Sequence, residues 1–330
     1  VRTSLRLLVS LIIAAGLLAA LFYWGEVTPA QLRASWAQLS ASVYLQALAV
    51  HVGIYLLRAA RFWVLLPPGL RPSVPALLAV SAAHNMASYV LPAKTGEGTL
   101  VLYLRKICGV PASEGLASLV VSRLLDLATL ALLLSAATLV LAGRGVLRGA
   151  WALPLGGLLA LGSLTLLALS ARSDWLVHGL SFLMGLLRLG STRLGARLSR
   201  GADRVAGALR AAGGEGRLVS AALLSLLLWM GVFSFFLFLA RGFGLGEELG
   251  AVEGTFGSAW AVLANLLPIN GFAGVGTQEG GWVIGFKLVG VDEAVALSSG
   301  LGAHLVQLAN VVLFGVLGHL GMALVAPKSR

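Results

Sequence analysis

Along this chain, charged residues come in short groups separated by long runs in which a charge is rare. About 20 apolar residues cross the hydrocarbon of a bilayer as a helix, so each long run is a candidate span. The first, Leu7–Trp24, is uncharged throughout and follows Arg2 and Arg6. A secretory signal starts the same way, but its apolar core is only about 7–15 residues, so this run reads as a retained span. Further spans are expected at Val43–Leu65, Glu114–Leu141, Gly149–Ala171, Leu218–Ala240 and Ala294–Pro327.

Two regions break the pattern. After Pro67-Pro68 an apolar run covers Ser73–Ala93, and a short arm, Gly98–Cys108, follows the breaking sequence Leu91-Pro92-Ala93-Lys94-Thr95-Gly96-Glu97. As a helix that arm is about 16 Å long, too short to span. Gly254–Gln278 and Gly280–Gly290 repeat the plan around Leu267-Pro268 and Glu279. Each region has an apolar helix, Leu-Pro, a glycine-containing loop, a glutamate, a short arm, Gly-Val (109–110 and 290–291) and a long helix. The expected fold is an all-α polytopic membrane protein over residues 1–330. It has six full transmembrane helices and two re-entrant helical hairpins, in inverted units at about 73–141 and 251–325.

Charge sets the orientation. With both hairpins returning to their own side, 17 basic residues share one face and five (Arg33, Arg144, Arg148, Arg241 and Lys287) lie opposite. Lys/Arg bias marks the cytoplasmic side, so both termini and the Arg-rich loop 172–217 are expected there, in the cytoplasmic (inner) membrane of the cell. Within that loop Arg193, Arg197, Arg200 and Arg204 fall on one helical face beside an apolar stripe. That is either an interfacial basic helix that favours anionic lipid or a loop that only sets topology. The two hairpins then enter from opposite sides. Broken backbone at mid-membrane depth persists only inside protein or along a wet cavity, and inverted broken helices point to a transport site.

Composition agrees: 58% of the 330 residues are hydrophobic and 11% charged, against about 25% charged in soluble domains. Mean hydropathy is +0.92. The net charge of +11 belongs to membrane topology and lipid headgroups, not to nucleic acid. One cysteine, Cys108, excludes an internal disulfide framework and a cysteine metal cluster. No two histidines have metal-ligand spacing, and no nucleophile elbow or phosphate loop is present. No cofactor is expected.

A charge in a bilayer is costly, about 2.5–3.5 kcal/mol on insertion scales, so each one needs a reason. Arg123 and Asp126 lie three apart on one helix and can pair, either as a structural ion pair or to hold a lipid phosphate. Glu97 and Glu279 occupy matching places, as helix caps or as binders of a cationic headgroup or a proton. Lys94 can pair with Glu97 or meet a phosphate. Asn265, Asn270 and Gln278 surround the second break and can satisfy freed backbone groups. Arg58 and Arg61 end the second span, where they can snorkel or hold a headgroup. His84 and His304, in apolar helices, read as core hydrogen-bonding residues, and Trp24, Trp63, Trp151 and Trp175 as interface anchors.

At Arg58-x-x-Arg61, Leu91-Pro92 with Gly96-Glu97, Arg123-x-x-Asp126, and Leu267-Pro268 with Gly274-Val275-Gly276 and Glu279, the chain resembles the membrane region of lysylphosphatidylglycerol synthetase/flippase proteins and their stand-alone relatives. The likeness runs over about 5–325 and rests on the order and spacing of these motifs. It implies inverted re-entrant helices and a lipid flippase that moves a phospholipid or other polar-headed lipid between leaflets. The chain stops after its last apolar run, without the soluble aminoacyl-transfer domain of the bifunctional members, so no enzymatic synthesis is expected. Ala93-Lys94-Thr95 stands where the resemblance implies a Gly-Arg-type sequence. The alternatives are a membrane-embedded lipid-modifying transferase, which needs an acid–base pair at a donor site, a non-catalytic scaffold subunit, which needs no polar breaks at the midplane, and an ion channel, since the breaks resemble half-helices. The expected partners are membrane lipids, anionic phospholipid foremost, with a second copy of the chain in a homo-oligomer as a further one.

Overall fold

A computed structural model of the chain describes residues 29–171, 207–208, 210, 216–246, 249–266 and 272–325. The described residues form helices and turns, with no strand among them. Helix α1 (Pro29–Gln38) precedes α2 (Ala41–Leu65), whose start is capped by the Ser40 hydroxyl accepting the Val43 N–H at 3.3 Å. Helix α3 (Val74–Val90) stops at Leu91, which is extended (ψ 135°) because Pro92 disfavours a helical residue before it. A 3-10 stretch, Pro92–Gly98, leads into α4 (Thr99–Cys108). Gly109 ends α4 in the left-handed conformation, φ 70°.

Helices α5 (Ala112–Gly143), α6 (Ala152–Ala171) and α7 (Arg217–Ala240) follow, the last running into a wider turn at Arg241–Leu245. Then come α8 (Ala251–Leu266), a short turn at Phe272–Gly274, α9 (Thr277–Leu288) and α10 (Glu293–Val325).

Five helices are long and apolar enough to cross a membrane: α2, α5, α6, α10, and α7 with its following turn. They coincide with five of the six expected full spans. The expected first span, 7–24, and the basic helix expected within 172–217 lie outside the described residues, apart from a few residues near the end of that loop. Gly254–Gln278 is not one continuous helix: α8 stops at Leu266 and α9 begins at Thr277. Helix α6 presents Leu158, Leu161 and Leu164 outward, as a lipid-facing helix does.

The order of elements recurs. In α2–α5 and again in α7–α10, a long helix precedes one of 17 or 16 residues, a short one of 10 or 12, and a long one of 32 or 33. Helix α2 packs along α7, α3 along α10, and α8 against α5. Each short-helix pair therefore leans on the long helix of the other set. In lipid such contacts depend on close van der Waals fit, which small residues permit. Gly281 of α9 is one: a Cβ there would overlap the carbonyl oxygen of Trp260 in α8.

Candidate functional site

Where the two broken segments approach the long helices, the described residues enclose a cavity of about 580 Å³. Its wall draws on α2, α3, α5, α7, α8, the 272–274 turn, α9 and α10. Most of the lining is apolar, with Leu, Val and Phe side chains from α5 and α7. The charged lining is Arg58, Glu97, Arg123 and Asp126.

The charges form a chain of contacts. Arg61 is almost fully buried, at 1% exposure, and grips Asp126 with both terminal nitrogens, Nη1 to Oδ1 at 2.6 Å and Nη2 to Oδ2 at 3.2 Å. Its Nη1 also donates to Ser225 Oγ at 2.8 Å. Asp126 accepts the Trp229 indole N–H (3.0 Å) and Arg123 Nη1 (3.0 Å) as well. Four hydrogen bonds thus fill its two oxygens, which is what a buried carboxylate needs. Arg123 turns its Nε and Nη2 to Glu97 Oε2, at 2.9 and 2.6 Å. The other Glu97 oxygen accepts Ser88 Oγ at 2.5 Å. Gly96 makes this closure feasible, since a Cβ there would overlap the carbonyl oxygen of Ala87, the residue before Ser88.

Arg58 stands apart. Its side chain faces the cavity, and among the described residues it has no hydrogen bond or ion pair; its Nε is buried without a partner. Arg58, Arg61 and Arg123 set against Glu97 and Asp126 leave one positive charge over, and Arg58 carries it.

The second break is built differently. Glu279 and His304 are each 2% exposed and lie off the cavity wall. Glu279 Oε2 accepts the Gly276 N–H at 2.7 Å, capping α9 from its third position. Its Oε1 lies 2.6 Å from His304 Nδ1, and His304 Nε2 lies 3.1 Å from the carbonyl oxygen of Ala273. Beside this pair, a set of polar side chains lines the cavity. Gln278 Nε2 donates to Gln307 Oε1 (2.8 Å), while the Tyr89 hydroxyl (2.8 Å) and Asn265 Nδ2 (2.5 Å) reach Gln278 Oε1.

Set against the sequence, Arg123 and Asp126 pair as their spacing implies. Arg58 and Arg61 do not snorkel; both turn inward, because a carboxylate and a cavity lie on that side. Glu97 does not cap α4, whose first residue lacks a side-chain cap, because Arg123 takes its carboxylate. Glu279 does cap α9 but does not share a cavity with the other three charges. His84 bonds Thr99 Oγ1 at 3.1 Å, a core role. Asn265 lines the cavity; Asn270 and the Lys94 side chain lie outside the described residues.

Tyr55, Ser88, Tyr89, Trp229 and Gln307 are cavity residues not singled out from sequence. The repeat carries a signal for His304 that the sequence reading did not use. Counting from the Gly-Val pairs, Arg123 and His304 each follow the valine by thirteen residues, and Asp126 and Gln307 by sixteen.

Among the described residues no group of three or more His, Cys, Asp or Glu side chains could hold a metal ion. No curated protein and no solved structure matches the chain significantly. The spanning helices mark a multi-pass membrane protein, and the chain belongs to the family described as the lysylphosphatidylglycerol synthase TM region, whose model matches residues 7–315.

Proposed function

We propose that this protein moves a phosphate-bearing, anionic lipid between leaflets, its headgroup passing through the cavity beside Arg58 while its acyl chains stay in the bilayer. The observation that carries this reading is the Arg58 guanidinium, which faces the cavity without a hydrogen bond or ion pair among the described residues, beside an otherwise matched set of charges. An uncompensated cation at membrane depth is costly, and a phosphate offers the planar fork a charge-assisted, bidentate partner. The apolar remainder of the wall suits acyl chains. Family membership supports a link to lipid modification or transport in general.

A lipid-modifying transferase is supported less well. Both carboxylates facing the cavity are held by arginines, so neither is free to act as a general base. The basic residues of the sequence, 17 against five, favour a cell-membrane protein with both termini in the cytoplasm.

The test is reconstitution into phosphatidylcholine vesicles containing nitrobenzoxadiazole-labelled phosphatidylglycerol or phosphatidylcholine, with outer-leaflet dye quenched by dithionite. The protein is expected to expose inner-leaflet phosphatidylglycerol several times faster than phosphatidylcholine. Equal rates for the two lipids, or rates no higher than in protein-free vesicles, would count against the proposal.

A further inference from the structure

The environment of His304 fixes its hydrogens. Nε2 faces the carbonyl oxygen of Ala273, which can only accept, so Nε2 carries a hydrogen. Nδ1 faces a carboxylate oxygen at 2.6 Å. Two bare lone pairs at that distance repel, so a proton lies between them. Whether it sits on nitrogen or oxygen, it belongs to the pair as a unit. Removing it would leave a carboxylate against an imidazole lone pair in a site 2% exposed, with no arginine or lysine in contact among the described residues. The present geometry requires that proton.

The same two side chains hold the tip of the second break. His304 fastens the Ala273 carbonyl and Glu279 the Gly276 N–H. Ala273 has φ 53°, a left-handed conformation that a residue with a Cβ adopts only when its surroundings impose it. Ala273 and Gly274 are also cavity wall, and Gln278, next to Glu279, lines it too. Proton occupancy, tip conformation and cavity shape are therefore tied through named contacts.

We propose that Glu279 and His304 form a proton-binding site, and that releasing and rebinding one proton there frees and fastens the 272–276 tip and so couples lipid movement to a proton gradient. On release the proton passes to water, and the pair goes from neutral overall to one negative charge. The coupling half of the proposal rests on the lipid-transport reading; proton binding does not. The matching pair in the first set, Glu97 with Arg123, cannot do this, because a guanidinium stays protonated.

Few other titratable groups face the pair. From α3, Tyr89 packs edge-on against the His304 ring with centroids 6.0 Å apart. From α2, His51 and Tyr55 lie further along α10, His51 bonding Asn310. Glu253 on α8 is paired with Arg144, Lys287 on α9 with Glu293, and Arg241 after α7 with the Leu249 carbonyl.

Nitrogen-15 NMR of histidine-labelled protein in nanodiscs, with His304→Gln identifying the signal, reads the proton without any lipid assay. The His304 resonances should shift over a pH series in which the protein stays folded, and should follow a different curve in Glu279→Gln. Resonances that do not move over that series would overturn the proton site, whatever the lipid assay gives.

The same vesicles with labelled phosphatidylglycerol, run with and without an imposed pH gradient, test the coupling. Wild-type movement should change severalfold with the gradient, and Glu279→Gln, which keeps the cap and can donate to Nδ1, should lose that response. Gradient-independent movement in wild type, or an intact response in Glu279→Gln, would overturn coupling. A titrating His304 in a protein that moves no lipid would instead uphold the proton site and defeat the transport reading.

Discussion

Glu97 and Glu279 stand at matching places in two sets of helices, yet they are used in different ways. The Glu97 side chain is 28% exposed on a cavity wall and meets a guanidinium; Glu279 is 2% exposed and meets an imidazole. The first environment keeps its cation, since arginine does not deprotonate. The second is where we propose a proton that can leave. A repeat supplies two copies of a frame, and a single difference at the paired position, Arg123 against His304, makes one copy a fixed electrostatic wall and the other a titratable clasp. The next position one turn on repeats the lesson. Asp126 anchors two arginines where Gln307 joins a neutral amide ladder.

The largest effect expected from disturbing this contrast is in the first set. Arg61→Ala leaves Asp126 buried with Arg123 as its remaining salt-bridge partner among the described residues, and breaking such a pair costs about 3–5 kcal/mol. Thermal unfolding in detergent should show a large loss of stability, and a melting curve like the wild type's would mean that Arg61 is not the anchor. Arg58→Gln should leave folding intact because among the described residues that side chain makes no hydrogen bond or salt bridge. Anionic lipid movement should fall about ten- to a hundredfold, the equivalent of a charged hydrogen bond of about 1.5–3 kcal/mol; an unchanged vesicle rate would remove Arg58 from the site.

Glu279→Gln should lose only about 1 kcal/mol of stability, since the amide can keep both bonds. A collapse in melting temperature would make Glu279 structural in the way Asp126 is. The smallest effect belongs to Lys287→Ala. Its partner Glu293 and Lys287 itself are both well exposed, so under about 1 kcal/mol is expected from denaturant titration.

Much of the fold was legible because membrane helices announce themselves by length and apolarity, and Leu-Pro breaks a helix wherever it falls. Arg123 and Asp126 were legible as a pair because helical spacing puts them on one face. The direction of Arg58 and Arg61 was not, because at the end of a span an arginine can turn outward to the interface or inward to a carboxylate. Only the partner, 65 residues on in the case of Arg61, decides. His304 was read as a core hydrogen-bonding residue, but its partner was missed for a similar reason: a lone histidine in an apolar helix does not name its partner, which is Glu279 on the neighbouring helix. Glu97 and Glu279 looked alike because the motif around each is alike; the residues that separate them lie on α5 and α10.

The most direct test of the central claim is photolabelling of the reconstituted protein by phosphatidylglycerol bearing a diazirine next to its phosphate, with labelled peptides mapped by mass spectrometry. The expected result is label on cavity residues such as Tyr55 and Trp229, displaced by excess phosphatidylglycerol but not phosphatidylcholine, and lost in Arg58→Gln. Label confined to the outward leucines of α6, Leu158, Leu161 and Leu164, and equally displaced by both lipids, would contradict it.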